Sequence, residues 1–256
     1  MNSLKVSIIT AVYNSSSFIE EMVESVIGQS HENWELILID DFSADTSRQI
    51  IKKYMETDER IHLIENNENL GPAPTRNKGI SFATGDFLSF LDSDDIWHSN
   101  FLKKSLNFAV ENNFEFVFAS YERCDEQLNP QLKDFIVPEK VNYTDVLKSC
   151  PIACLTALID IRRIGKFYMP DLKKRQDWCL WLAILKEVPY AYGIKEPMAI
   201  YRMRKHSISR NKLKLIPYVW KVFRNVEKKN VFYSLYLLNI WALSGLKKYY
   251  VNTKLD

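Results

Sequence analysis

FLSFLDSDDIWHS, residues 87–99, sets three aspartates within four positions directly after five residues that are almost all apolar. A run of that kind suits a strand buried on both faces, and the acids then fall where the chain leaves the sheet. If Asp92 ends the strand, Asp94 lies two residues on, so both side chains can point to the same side of an extended segment. Two carboxylates so placed can hold a hard divalent cation, Mg²⁺ or Mn²⁺, with waters and substrate phosphates completing the shell. The competing account is that Asp94 or Asp95 caps a helix starting near Ile96. We assign one aspartate to capping and two to the metal.

Outward from this stretch the first half alternates two periodicities. VSIIT (6–10), ELILID (35–40), IHLIE (61–65), FLSFLD (87–92) and FEFVFAS (114–120) read as strands of a parallel sheet. SFIEEMVESVIGQ, TSRQIIKKYME, PTRNKGISFA and NFLKKSLNFAVEN lie between them, with apolar residues three and four apart, and read as helices. Strand and helix in strict turn predict an α/β domain, in which ligands sit at the carboxyl ends of the strands. After about residue 123 the rhythm breaks. Residues 123–143 read as a loop or extended excursion, followed by a strand at 153–160, a helix at 176–187 and a strand at 198–204. Residues 214–248 read as two helices.

Length and composition fit this picture. The chain has 256 residues, 46% of them hydrophobic, enough for one sizeable core. Cys124, Cys150, Cys154 and Cys179 show no CxxC spacing and read as small buried residues of a reducing compartment. MNSLKVSIIT carries one lysine and a short apolar run, which is not a signal-peptide pattern, so a cytoplasmic location is expected. The formal net charge of +2 hides an asymmetry. Residues 202–256 hold 13 Lys and Arg against 2 acids, or +11, leaving −9 for residues 1–201.

Other strand ends also carry unusual residues. In DDFSADTS (40–47), Ser43 or Asp45 would serve as a helix N-cap, which leaves Asp40 and Asp41 unexplained. A carboxylate there can accept from a base N–H or a ribose hydroxyl, and Tyr13 offers a flat face to a base. There is no GxxxxGK[ST] and no GxGxxG in the first strand–helix turn, so a pyrophosphate would need metal and basic side chains. Arg76 and the cluster YRMRKHSISRNK (201–212) are the available donors, with a solvated surface as the alternative for the cluster.

Taken in order, VSIITAVYN, ELILIDDFSADTS, NLGPAPTRNKGISFATGDFLSFLDSDDIW, KKRQDWCLWLAILK and YRMRKHSISRNK resemble the family 2 glycosyltransferases over residues 4–212. The resemblance implies a GT-A, Rossmann-like nucleotide-diphospho-sugar transferase fold, a mostly parallel central sheet flanked by helices, with C-terminal helices beyond it. It implies a catalytic domain at 1–212, with a nucleotide-binding half at 1–123 and an acceptor-binding half at 124–212. Residues 213–256 form a basic, aromatic helical extension.

The resemblance further implies that Ala11 and Tyr13 line the nucleotide site, that Asp41 contacts the base with Asp40 beside it, and that Arg76, Ser93 and Arg204 serve the nucleotide-sugar. Asp92 and Asp94 match the family's DxD, Asp94 being the more direct ligand of Mn²⁺ or Mg²⁺. Asp177 matches the aspartate of the ED motif, the catalytic base of inverting members. Two positions depart from the pattern. Gln176 replaces the ED glutamate, and Arg204 stands where many members have a histidine, with His206 two residues on as an alternative metal ligand.

The implied activity is inverting transfer of a sugar, UDP-linked for preference, to an acceptor hydroxyl in bacterial surface-polysaccharide or teichoic-acid-type synthesis. The acceptor would be a saccharide or a lipid-linked saccharide. VFYSLYLLNIWALSGL (231–246), flanked by lysine pairs, is too short to span a bilayer. It suits peripheral contact with the inner face of the membrane through residues 214–250, with packing on the catalytic domain or in a homo-oligomer as the alternative. The rival classes fare less well. A sugar nucleotidyltransferase needs a Gly-rich basic loop that TAVYNSSS lacks, and a non-catalytic nucleotide-binding scaffold has no need to keep Asp94 and Asp177. DSDDIWHSNFLK lacks the EF-hand glycine, and no nucleic-acid module accompanies the basic tail.

Overall fold

The computed structural model describes residues 3–204 and 213–251. The chain runs β1 (Val6–Val12), α1 (Ile19–Ile27), β2 (Trp34–Asp40), α2 (Ser47–Met55), β3 (Ile61–Glu65), α3 (Pro72–Phe82), β4 (Phe87–Phe90), β5 (Ile96–Trp97) and α4 (Phe101–Glu111). It continues through β6 (Phe116–Cys124), β7 (Pro130–Phe135), β8 (Lys140–Val141), α5 (Tyr143–Lys148), β9 (Leu158–Asp160), α6 (Ile161–Ile164), α7 (Gln176–Glu187) and β10 (Ala191–Arg202). The last helices are α8 (Ile216–Lys221), which runs on through a π turn at Val222–Val226, and α9 (Val231–Val251).

One sheet carries the molecule, in the order β3-β2-β1-β4-β9-β6-β10-β5, with β7 added to β6 and β8 to β10. The pairs β1–β2, β2–β3, β1–β4 and β6–β10 are parallel, whereas β9 runs antiparallel between β4 and β6. Both faces are covered, as the unbroken apolar runs predict. Ile9, Ile37, Ile39 and Phe90 face one core with α3 and α7, while Ile8, Leu36, Leu38 and Phe87 face the other with α1, α2 and α4. β1 lies between β2 and β4, so the chain winds away from it in both directions and opens a crevice at the carboxyl edge.

Packing at one glycine brings α3 close to that crevice. A Cβ at Gly79 would lie 2.5 Å from Ile39 Cδ1 and 2.7 Å from Ile9 Cγ2, so this helix face can meet β1 and β2 only without a side chain. Arg76, one turn earlier, shares the face and is thereby aimed at the strand ends.

Three sequence expectations are corrected. No helix starts at Ile96: Ile96 and Trp97 pair antiparallel with Ile200 and Ala199 of β10, and Trp97 is buried with its Nε1–H donating to Leu155 O at 2.6 Å. Capping therefore explains none of the DSDD acids. The stretch 153–160 is a 3₁₀ turn at Cys154–Thr156, closed by Thr156 N–H to Ala153 O and Ala157 N–H to Cys154 O, before a three-residue strand. Residues 123–143 hold β7 and β8, paired with β6 and β10.

Candidate active site

The strand ends converge. Val12 is level with Asp40, and Ile9 pairs with Phe90, which puts Asp92 at the level of Ala11. Three loops are then tied together. Ser15 N–H donates to Ser47 Oγ at 2.8 Å, Ser16 N–H to Asp45 Oδ2 at 2.9 Å, and the hydroxyls of Ser15 and Ser93 share a 2.7 Å hydrogen bond. Asp45 also accepts from Ser47 N–H and Oγ–H at 3.0 and 2.6 Å. Burial would raise its carboxyl, but these donors outweigh it and hold it at about 2. Asp45 thus serves the first turn of α2 although it does not occupy the cap position, which is Thr46.

Asp40 is fully buried at the end of β2, accepting from Ser43 N–H at 3.0 Å, with Arg48 Nε 3.6 Å from the same oxygen. Asp41 is saturated differently. Its Oδ1 accepts from Asn66 Nδ2 (3.0 Å) and Leu70 N–H (2.9 Å), and its Oδ2 from Gly71 N–H (2.8 Å). The carboxylate therefore fixes the loop that leads into α3, where Gly71 at φ 86 makes a turn other residues resist. Tyr13 stands half exposed at the mouth. Phe42, equally exposed, is held at φ 66, in the left-handed region, between Asp41 N–H, which donates to Val12 O, and the Ser43 bond to Asp40.

The DSDD acids each meet a guanidinium or the backbone of one. Arg76, buried on α3, donates from Nη2 to Asp92 Oδ1. Arg204 Nη1 lies 3.2 Å from Asp94 Oδ2, with its guanidinium 4.8 Å above the Phe18 ring. Asp95 is buried, accepts from Arg202 N–H at 2.8 Å, and leaves Oδ2 without a hydrogen bond among the described residues. Burial, then the charge of Asp92, pushes the Asp94 carboxyl up against the pull of Arg204; burial, Asp94 and Asp92 push Asp95 well above the carboxylate range.

Asp177 sits in the first turn of α7, behind Gln176 and after Arg175, which holds the cap position at φ 67. Asp177 is thus not the cap. Half-buried, its carboxylate makes no hydrogen bond or ion pair to a described residue. Its place relative to the DSDD loop follows from Arg76. Burial alone would lower that guanidinium, yet the carboxylate of Asp92, with Cys154 and the carboxylate of Asp177, holds it raised. The Arg76 guanidinium is therefore within electrostatic reach of both Asp92 and Asp177. Gln176 is buried with its Oε1 unpaired among the described residues.

Ala11, Tyr13, Asp40, Asp41, Arg76, Asp92, Ser93, Asp94, Arg204 and Asp177 thus all map to the carboxyl edge or the α7 loop beside it. His206 lies outside the described residues. A solvated surface does not describe the start of the basic cluster. Arg202 is buried, donating to Asp94 O (2.9 Å), Glu126 O (2.9 Å) and Glu21, with its guanidinium 4.8 Å from the Phe18 ring. Asn66, Phe18, Glu21 and Cys154 join the site without any local signature. The contact that unites Glu21 with Arg202, 181 residues on, is visible only after the sheet closes.

Donor chemistry fits a divalent cation. Asp92 and Asp94 present hard oxygens, and their side chains remain 32% and 24% exposed. No group of three or more His, Cys, Asp or Glu side chains forms a closed cage among the described residues, so phosphate oxygens and waters would complete the shell.

The chain is similar to known proteins in sequence and in fold. The sequence model of the glycosyl transferase family 2 matches residues 7–156. The chain is 40% identical, over 95% of its length and 96% of the relative's, to TuaG of Bacillus subtilis, named as a teichuronic acid biosynthesis glycosyltransferase. It is 35% identical, over 97% and 96%, to WfgD of Escherichia coli, named as a UDP-Glc:α-D-GlcNAc-diphosphoundecaprenol β-1,3-glucosyltransferase. Among solved structures, residues 1–349 of Staphylococcus aureus TarS with UDP-GlcNAc superimpose with a TM-score of 0.70 at 20% identity, covering 92% of this chain and 70% of that one.

Proposed function

This chain belongs to glycosyl transferase family 2, and from that premise we propose that it is a metal-assisted, inverting enzyme. The donor is a UDP-sugar and the acceptor a hydroxyl of a saccharide, lipid-linked, in the assembly of a bacterial surface polysaccharide. Residues 1–123 hold the nucleotide, 124–212 the acceptor, and 213–256 form an appended helical segment. The observation that supports the reading is the pairing of Asp92 with Arg76 and of Asp94 with Arg204, with Asp177, which has no hydrogen bond or ion pair among the described residues, in electrostatic reach of Arg76. The name of WfgD supports the choice of UDP and of a lipid diphosphate acceptor, and that of TuaG, with its teichuronic acid, the choice of polymer class.

Asp94 and Asp92 would hold Mn²⁺ or Mg²⁺, which supplies charge neutralisation to the departing diphosphate. Asp41 fixes the Leu70–Gly71 loop, and with Tyr13 it bounds the space for a base. Arg204, stacked over Phe18, brings a fixed positive charge to the diphosphate side, and Arg76 orients Asp92. Asp177 accepts the proton of the acceptor hydroxyl as its oxygen bonds to the anomeric carbon; the bond to the diphosphate breaks and its electron pair leaves with the phosphate oxygen. A single displacement inverts the anomeric centre.

A thermal-shift titration with UDP, GDP, CDP and dTDP, each with Mn²⁺ and with EDTA, tests the donor site beside Asp94→Ala. A ligand that binds the folded state raises Tm. The expected result is a shift with UDP that requires both Mn²⁺ and Asp94. No shift with any nucleotide would leave a non-catalytic scaffold as the better reading.

A further inference from the structure

We propose that the outer face of α9 docks the protein on an anionic lipid surface. The helix has two unlike sides. Ser234 and Leu237 are fully buried, and Leu238 and Trp241 pack against the core. The opposite side is apolar yet exposed: Phe232 is 85% and Leu243 65% exposed, with Leu235 and Tyr236 between them at helical spacing. An exposed apolar stripe of this length on a helix marks an interaction surface.

Charge identifies the occupant. Between Leu213 and Val251 the chain carries seven Lys and Arg and one acid, Glu227. That acid is turned inward, 2.8 Å from Lys186 Nζ and accepting from Tyr143 Oη at 2.6 Å. Lys228, exposed, and Lys229 directly precede the apolar stripe, and Lys247 and Lys248 follow it on the same helix. The segment therefore offers exposed apolar side chains within a stretch of net positive charge whose one carboxylate is turned inward. Its complement is apolar at depth and negative at the surface, as a leaflet with anionic headgroups is. A spanning mode does not apply, since no helix among the described residues is long and apolar enough to cross a membrane.

The same helix is tied to the catalytic loop. The Arg175 guanidinium lies 5.8 Å from the Trp241 ring on α9 and 6.0 Å from the Trp178 ring on α7. Arg175 and Trp178 flank Gln176 and Asp177 in sequence. A protein resting on α9 thus keeps the Asp177 side of the cleft at the leaflet, where a lipid-linked hydroxyl would be found; this orientation rests on the function proposed above, whereas the docking itself does not.

Co-sedimentation with vesicles tests the proposal, using phosphatidylcholine alone and phosphatidylcholine mixed with phosphatidylglycerol, at low and high salt. The wild-type chain is expected on the anionic vesicles, to leave phosphatidylcholine vesicles unbound, and to be released by salt. Phe232→Ser combined with Leu243→Ser should weaken partitioning at least tenfold while leaving the UDP–Mn²⁺ thermal shift intact, which shows that fold and donor site survive. Absence of binding to anionic vesicles, or equal binding by the double variant, overturns the proposal. So does a wild-type dimer in light scattering that the double variant converts to monomer, since a second copy would then own the face. Vesicle binding without any nucleotide shift would instead contradict the donor reading alone.

Discussion

Arg204 Nη1 lies 3.2 Å from Asp94 Oδ2, so the residue that replaces a histidine of the family pattern is paired with the acid best placed to hold a metal. A guanidinium cannot ligate a cation, and it keeps its charge at every pH of interest. Its part toward Asp94 is therefore electrostatic, and in the proposed reaction it would turn that charge to the diphosphate oxygens. Arg204→Ala should lower kcat/KM for the donor by about 10- to 100-fold, the worth of one charge-assisted hydrogen bond at ~1.5–3 kcal/mol. Arg204→Lys should recover part of the loss. Steady-state kinetics at varied donor checks both.

Asp177→Asn should leave Tm and UDP affinity unchanged and lower kcat by about 10²- to 10⁴-fold, the range for loss of a general base. The fold is expected to tolerate it because the carboxylate makes no bond to a described residue. A KM that rises with kcat preserved would reassign Asp177 to acceptor binding.

Gly79→Ala should destabilise the protein by about 1–3 kcal/mol, the range for overpacking a filled core, because the new methyl meets Ile9 and Ile39. It should also weaken UDP binding, since pushing α3 off the sheet moves Arg76. Chemical denaturation and a nucleotide titration on the same variant read the two effects.

Glu35 tests the opposite end of the sheet. Burial would raise its carboxyl, yet Lys5 Nζ at 2.8 Å, Ser7 Oγ at 2.5 Å and Thr84 N–H at 2.6 Å bring it down to about 2 from the ordinary 4.5. A depressed folded-state value contributes stability that is present above the unfolded value and lost as pH falls through the folded one. Glu35→Gln should therefore cost about 2 kcal/mol at neutral pH, reduced from the full shift because Lys5 is partly solvated. The gap to wild type should close between about pH 4.5 and 2. Denaturation curves across that range check the sign.

Much of this was legible in the chain because local pattern and tertiary role coincide. The apolar runs of β1 and β2 are buried on both faces, and Asp40 and Asp92 fall at the edge that a parallel sheet assigns to ligands. The misreadings share one cause, a distant partner. Ile96 and Trp97 become a strand through β10, more than a hundred residues on. Arg202 looked like one of several surface cations, and its burial depends on Phe18 and Glu21 at the start of α1, Asp94 and Glu126 arriving from three separate parts of the chain. Asp41 shows the converse. Its place at the site was readable, but its three donors from Asn66, Leu70 and Gly71 were not, since nothing local to DDFSADTS points to them.

The most direct test of the proposed chemistry is a calorimetric titration of UDP into wild-type protein, Asp94→Ala and Asp177→Asn, each with Mn²⁺ and with EDTA. The account predicts binding by wild type and Asp177→Asn in Mn²⁺, at least tenfold weaker binding by Asp94→Ala, and little heat from any of them in EDTA. Equal UDP affinity with and without metal, unchanged by Asp94→Ala, would contradict it and remove the DSDD loop from the donor site.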